Sequence, residues 1–398
     1  MSKAADIAAE IPAAEVSVAE IRRMARNLRD EGRFMDAARV YGVAAKRDPE
    51  GNAGLFMAYC LRDAGDEAMA RRALEYYRLT HPKDFDGHVA LGLFLKQRGA
   101  WDDALGPLRE ALRLRDDIPT RNTYISCLSR SGHDKEARRE GLRNLHDKHD
   151  HAMACAATSD FARAGLKPGG RGFDPEHPER NIIAFSLWGD RPEYVTGAIV
   201  NAQLAKHLYL RWTARFYCDN TVPYDAIVAL RAFGAQVVMM DDPALTALRP
   251  MWRFFVSDDP GVNVFVCRDA DSRLNAKELL AVSDWLASGR RFHVMRDHVL
   301  HHELILAGMW GGTAGVLPPI RDYLSAATAY HGNRFADQAF LGEQVWPMIQ
   351  GDVAVHDSVF GFPRASGFPP GYDLPGTIHV GGGVKAMPHW AKFIHMPE

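Results

Sequence analysis

Two carboxylates one residue apart, Asp269 and Asp271, follow the apolar run Val262-Asn263-Val264-Phe265-Val266-Cys267 in the tract Arg268-Asp269-Ala270-Asp271-Ser272-Arg273. On a loop after a buried strand, both can reach one hard cation. Aspartate oxygens suit Mg²⁺ or Mn²⁺, and such ions are usually shared with phosphates. A diphosphate leaving group gains from this arrangement, because negative charge builds on it as its bond to a sugar breaks. One unit-charge pair at about 4 Å is worth roughly 4 kcal/mol at an effective dielectric of 20. A cation held there can therefore supply a large share of catalysis. Acidic strand-end loops are common, so the pair takes its weight from the elements around it.

Those elements alternate. From Asn181 the pattern predicts strands over 182–187, 213–218, 236–240 and 262–267, with helices over 194–207 and 223–233. Strands alternating with helices imply an α/β unit with a mostly parallel central sheet flanked by helices. In such sheets ligands bind beyond the carboxyl ends of the strands. Trp188-Gly189-Asp190 stands at the end of the first strand. Arg253, in Met251-Trp252-Arg253-Phe254-Phe255, lies on a helical segment before the fourth strand; the competing reading there is one solvated arginine on an amphipathic helix.

The densest group of possible ligands is Phe292-His293-Val294-Met295-Arg296-Asp297-His298-Val299-Leu300-His301-His302-Glu303. It raises a metallohydrolase alternative built on Asp269, Asp271, His298 and His302. No HExxH spacing accompanies it, and the cluster sits between two apolar runs as a loop would. Just downstream, Gly308-Met309-Trp310-Gly311-Gly312 carries glycines that allow close approach of a ligand to backbone. No GxGxxG follows a strand, and neither a Walker loop nor GxSxG occurs. Dehydrogenase and serine-hydrolase readings fall away.

With these residues in view, the stretch 181–398 resembles a GT-A-fold glycosyltransferase, and Asp269-Ala270-Asp271 resembles its DxD motif. The resemblance implies a divalent cation, Mn²⁺ or Mg²⁺, on the diphosphate of a nucleoside-diphosphate sugar, a UDP-sugar by family habit. Phe335-Ala336-Asp337-Gln338-Ala339-Phe340-Leu341 is similar to the late "DQ" helix start, which makes Asp337 a sugar contact or base; an acid favourable at a helix N-terminus is its bland reading. Ile378-His379-Val380-Gly381-Gly382-Gly383-Val384-Lys385 is similar to the terminal HxxGxxKPW segment of glycogenin-like transferases, which implies His379 as a third metal ligand and Lys385 as a phosphate contact. The chain departs from that segment by an extra glycine and by Ala386-Met387-Pro388-His389-Trp390 where Pro-Trp should follow. His356 is a rival third ligand. The resemblance also implies an arginine touching the donor at the place of Arg253, a nucleotide base beside Trp188 and Asp190, with core packing as the competing reading for Trp188, and an acceptor side at Asp297, His298 and Trp310.

The first half repeats itself. Gly32, Gly65, Gly99 and Gly132 recur at spacings of 33, 34 and 33 residues, each followed five residues later by Ala37, Ala70, Ala104 or Ala137. Tyr41, Leu74 and Leu108 stand nine residues after the first three glycines, and Gly141 after the fourth. Small residues let two helices cross closely. The pattern resembles the tetratricopeptide (TPR) repeat, an all-α helix–turn–helix unit of about 34 residues whose copies must stack to bury their apolar faces. It assigns about four units over 18–150 to a domain at 1–157. Residues 158–180, rich in Pro and Gly, read as a linker with a short capping helix at 151–165 before it. The repeats serve either as a stabilising appendage or as a groove for an acceptor or protein partner.

A formal net charge of -2 with mixed signs argues against a nucleic-acid binder. Five cysteines, none in a CxxC pair, point to a reducing compartment. The N-terminus does not read as a signal peptide, and no stretch nears the roughly 20 apolar residues a bilayer needs. The expectation is a cytoplasmic enzyme, with peripheral membrane docking left open because many glycosylation acceptors are lipid-linked. A non-catalytic TPR scaffold with a degenerate transferase domain is the other alternative. Should the two acidic side chains point away from any cleft, or be tied up in buried arginine pairs, the enzyme reading collapses and only the repeats survive.

Overall fold

The computed structural model describes residues 16–332, 335–374 and 378–384. The chain divides into two compact units between Glu140 and Gly141.

The first unit is built of helix hairpins: α1 (Val18–Asp30) with α2 (Phe34–Arg47), α3 (Ala53–Asp63) with α4 (Glu67–Thr80), α5 (Phe85–Gln97) with α6 (Trp101–Leu114), then α7 (Ile118–Arg130) and the start of α8 (Asp134–Ala156). The four repeating glycines are the turns, with φ of +75°, +82°, +73° and +76°, a conformation that costs glycine nothing after a helix end. Ala37, Ala70, Ala104 and Ala137 are each 0% exposed, as close helix crossing requires. The division of the chain falls inside α8, earlier than the change at 158 expected from composition. Leu145 and Ala152, on its second half, join the core of the second unit. Gly141 departs from the bulky repeat position because a Cβ there would meet the Phe360 ring. The expected linker is likewise packed on the second unit: Phe161, on the short helix α9 (Asp160–Arg163), enters the same core, and Phe173 lies 5.5 Å from Trp212.

The second unit carries a seven-stranded sheet. Its strands are β1 (Asn181–Leu187), β2 (Thr213–Cys218), β3 (Gln236–Met239), β4 (Val264–Arg268), β5 (Phe292–Arg296), β6 (Trp310–Thr313) and β7 (Val353–Asp357). Their order is β3-β2-β1-β4-β6-β5-β7. All neighbours pair in parallel except β6, which runs against β4 and β5. Strand β1 is buried along its whole length, the mark of a sheet covered on both faces. Ile183, Phe185 and Leu187 face α10 (Pro192–Leu208), α11 (Tyr224–Ala232) and α12 (Ala276–Ala287). Ile182 and Ala184 share the other core with the 3₁₀ segment Pro243–Asp258 and with α13 (Ile320–Ala326), α14 (Ala336–Phe340) and α15 (Trp346–Ile349). The chain winds outward from β1 to β3, then returns to place β4 on the other side of β1. The crevice beyond the ends of β1 and β4 is therefore the topological switch point, where open α/β sheets take ligands.

Several histidines lie inside this unit. His293 and His301 are held well below the ordinary range, burial being the main cause, and burial lowers His302 to about 3. Their folded pKa values lie under the unfolded one, so their stabilisation is complete above about pH 6.5 and drains as pH falls from there, at about 1.4 kcal/mol per pH unit for each group. Urea midpoints followed by tryptophan fluorescence should fall between pH 7.5 and about pH 5.5. A His302→Gln variant should show a shallower fall. A midpoint constant over that range would contradict the buried neutral imidazoles.

Candidate functional site at the switch point

Strand β4 ends in a buried network that fixes where the acidic pair begins. Arg268, 1% exposed, donates to the carbonyls of Cys267 and Trp310 and lies 3.3 Å from Glu278, which accepts from the Tyr209 hydroxyl at 3.0 Å. Beyond it the loop is tied by its own atoms and by α10. Ser272 donates through both N and Oγ to the Asp269 carbonyl. Asn201 donates to the carbonyls of Ala270 (3.3 Å) and Ser272 (2.9 Å) and accepts from Leu274 N. Gly197 is the point of closest approach: a Cβ on it would collide with the Ala270 carbonyl oxygen. Gly308 serves the same end from the other side, since a Cβ there would collide with the Asp269 carboxylate.

Three of the expected residues meet. Arg253 is 5% exposed, so the solvated-arginine reading fails. Its Nη1 donates to Asp269 Oδ1 at 2.6 Å, and its Nη2 reaches Asp337 Oδ2 at 3.4 Å. The arginine pairing that would weigh against an enzyme is thus present at Asp269, through one oxygen, while that side chain keeps 41% of its surface exposed. Burial pushes the Asp337 carboxyl above the usual carboxylate range; Arg253 opposes the rise and Asp269 adds to it. Asp271 is half-buried, and its carbonyl accepts from Val384 N at 2.7 Å, which brings the segment after His379 to the acidic loop. Trp188 at the end of β1 is 37% exposed, so it is not core; Asp190 beside it is exposed as well. Lys385 lies outside the described residues.

The other candidates are placed elsewhere or otherwise engaged. Asp297 is not open to an acceptor, because Lys277 and Ser358 donate to Oδ1 and Val380 N to Oδ2. The His298 ring is packed among those of His379, at 4.3 Å, and His301, at 5.8 Å. His356 has both ring nitrogens taken, by His293 (2.8 Å) and Asp284 (3.1 Å). His302 faces Asn144 at 3.4 Å. Trp310 is 0% exposed and packs edge-on against Phe254 and Phe265; Gly311 and Gly312 give room to the neighbouring strands β4 and β5, not to a ligand. Among the described residues no three His, Cys, Asp or Glu side chains converge as a metal site. Neither the hydrolase set nor Asp269, Asp271 and His379 is assembled.

Sequence reading missed two groups. Tyr194, in the first turn of α10, has its phenol pushed up by burial and by the charge of Asp271. Asp219 follows β2; burial works to raise its carboxyl, but Thr221 and Arg249 hold it below its ordinary range, with Arg249 Nε at 2.8 Å. The signal for Asp219 was available, since it too is an acid directly after a strand beside the switch point.

No protein-family model matches the chain, and no curated protein matches it. Solved structures similar to it include MamA AMB-1, 16% identical over 33% of this chain and 73% of that one with a TM-score of 0.29. MamA from Desulfovibrio magneticus RS-1 is 18% identical over 31% and 71%, with a TM-score of 0.28. A mutant O-GlcNAc transferase of Thermobaculum terrenum is 18% identical over 58% of this chain but only 42% of its own, with a TM-score of 0.29. Likenesses this distant assign no role to any residue. Among the described residues, no helix is long and apolar enough to cross a membrane.

Proposed function

We propose that this chain is a metal-dependent GT-A-type glycosyltransferase, moving a sugar from a nucleoside-diphosphate donor, a UDP-sugar, to an acceptor hydroxyl, with its TPR-like repeats binding the acceptor or a protein partner. One observation carries the reading: Asp269 and Asp271 directly follow the strand that flanks the switch point, and Arg253 bridges Asp269 and Asp337. Asp269 and Asp271 would hold the cation, which when bound offsets the charge developing on the leaving diphosphate. Arg253 orients Asp269 and adds a fixed positive charge from a buried position, where it acts more strongly than in solvent. Asp337, held by the same arginine, is the group placed to contact the sugar or act as base near Asp269. Trp188 offers an exposed ring for a base to stack on. On the repeats, Leu55, Phe56 and Tyr59 of α3 and Val89 and Leu93 of α5 line a cleft suited to a partner.

A thermal-shift panel of nucleoside diphosphates and their sugars, each with and without Mn²⁺ or Mg²⁺, tests the proposal. A shift that needs both nucleotide and cation is expected, largest with uridine. No shift with any pair would overturn it. The Arg253–Asp269 pair favours one second reading, a scaffold that binds without catalysis. Such a scaffold would release no sugar from any donor, with or without cation.

Gly197→Ala offers a sharper check on the loop. Alanine favours a helix by up to about 1 kcal/mol over glycine, so the fold should hold. The added methyl must displace the Ala270 carbonyl, and UDP binding with Mn²⁺ should weaken by about tenfold, or about 1.4 kcal/mol. Unchanged affinity in a stable variant would show that the loop does not bind the donor.

A further inference from the structure

We propose that Asp297 is a positioning residue that fastens residues 378–384 as a strap along the Asp269–Asp271 loop; its value to catalysis rests on the donor reading above. Asp297 directly follows β5, and its side chain is 4% exposed. Its Oδ1 accepts from Lys277 Nζ on α12 and from Ser358 Oγ, both at 2.8 Å. Its Oδ2 accepts from the backbone N–H of Val380 at 3.0 Å. A carboxylate pinned on one side by an ammonium thus grips a backbone amide with the other, and such charge-assisted bonds are stronger than neutral ones.

The strap has one apolar anchor. Val380 is 0% exposed among Ala281, Met295 and Met309. The preceding His379 ring stacks on His298, and the following Gly381, at φ +75°, runs so close to Met309 that a Cβ would strike its sulfur. Four residues beyond Val380, the N–H of Val384 donates to the carbonyl of Asp271. The strap is therefore held at one end by Asp297 and at the other touches a proposed cation ligand. A segment this short, with one buried side chain, depends on the Asp297 bond. Where binding needs a docked strap, apparent affinity scales with the docked fraction.

Hydrogen exchange on the full chain, read on peptides covering 378–384, tests the fastening in Asp297→Ala and, through the other anchor, in Val380→Ala. Exchange there should quicken by about tenfold in both, peptides from β1 and β4 should stay unchanged, and the Kd for UDP with Mn²⁺ should rise by about tenfold. Asp297→Asn, which keeps one acceptor, should fall between. Unaltered exchange at 378–384 in both alanine variants overturns the proposal. Faster exchange with unaltered UDP affinity overturns it equally. A wild-type chain that binds no nucleoside diphosphate defeats the donor reading instead, and the exchange data then still decide the fastening.

Discussion

Asp271→Asn is expected to abolish cation-dependent diphosphate binding and to cut sugar transfer by at least about a hundredfold, with the fold intact. Asparagine keeps the shape and half the hydrogen bonding of aspartate but removes one of two ligating charges. A hundredfold in rate is about 2.7 kcal/mol of transition-state stabilisation, well within what one charge contributes at a cation beside a leaving phosphate. The side chain is half-buried in a loop whose backbone is held by Ser272 and Asn201, so the substitution leaves the loop's own ties in place. Steady-state transfer at saturating cation, with circular dichroism as the control, checks it. Turnover within a few-fold of wild type would discard the cation assignment.

Arg253→Leu is expected to destabilise the α/β unit by about 3–5 kcal/mol, because removing one partner of a buried ion pair strands the other. The stranded group is Asp337, whose side chain is 13% exposed; Asp269, at 41%, keeps contact with solvent. The loss should depend on pH in a defined direction. Without Arg253 the Asp337 carboxyl, already raised by burial, rises further. A group whose folded pKa lies above its unfolded one contributes stability at low pH and loses it as pH climbs through the folded value. The variant should therefore recover part of its stability between about pH 7 and pH 5, opposite to the trend set by the buried histidines. Arg253→Lys keeps the charge but not the two-pronged geometry, and should restore more stability than donor affinity. Urea unfolding of the three proteins at two pH values separates these outcomes, and a Leu variant as stable as wild type would show that the pair is not buried in solution.

The repeats were readable because their constraints are local. A glycine that must take a positive φ and an alanine that must let two helices cross recur at fixed spacing whatever the partner. The first four strands were readable for a similar reason, as apolar runs between turn residues. The antiparallel β6 was not. Trp310-Gly311-Gly312 looks like a ligand-lining loop in sequence, and only the sheet shows that its glycines make room for Phe265 and Phe292. Placement was legible where a buried strand runs into charge, as at Asp269 and Asp271. It was illegible where long-range pairing decides a side chain's fate. Asp297 and His356 have the residue types of a site, yet partners 20 to 83 positions away in sequence engage them. Arg253 is the reverse case: an arginine among aromatics suggests a solvated face, but two distant carboxylates draw it inside.

A crystal grown with Mn²⁺ and UDP, measured at a wavelength where manganese scatters anomalously, puts the matter to its most direct trial. The expected result is a single anomalous peak within about 2.2 Å of oxygens from Asp269 or Asp271 and of the diphosphate. A diphosphate bound with no peak at these carboxylates, or a peak held by other residues, would contradict it.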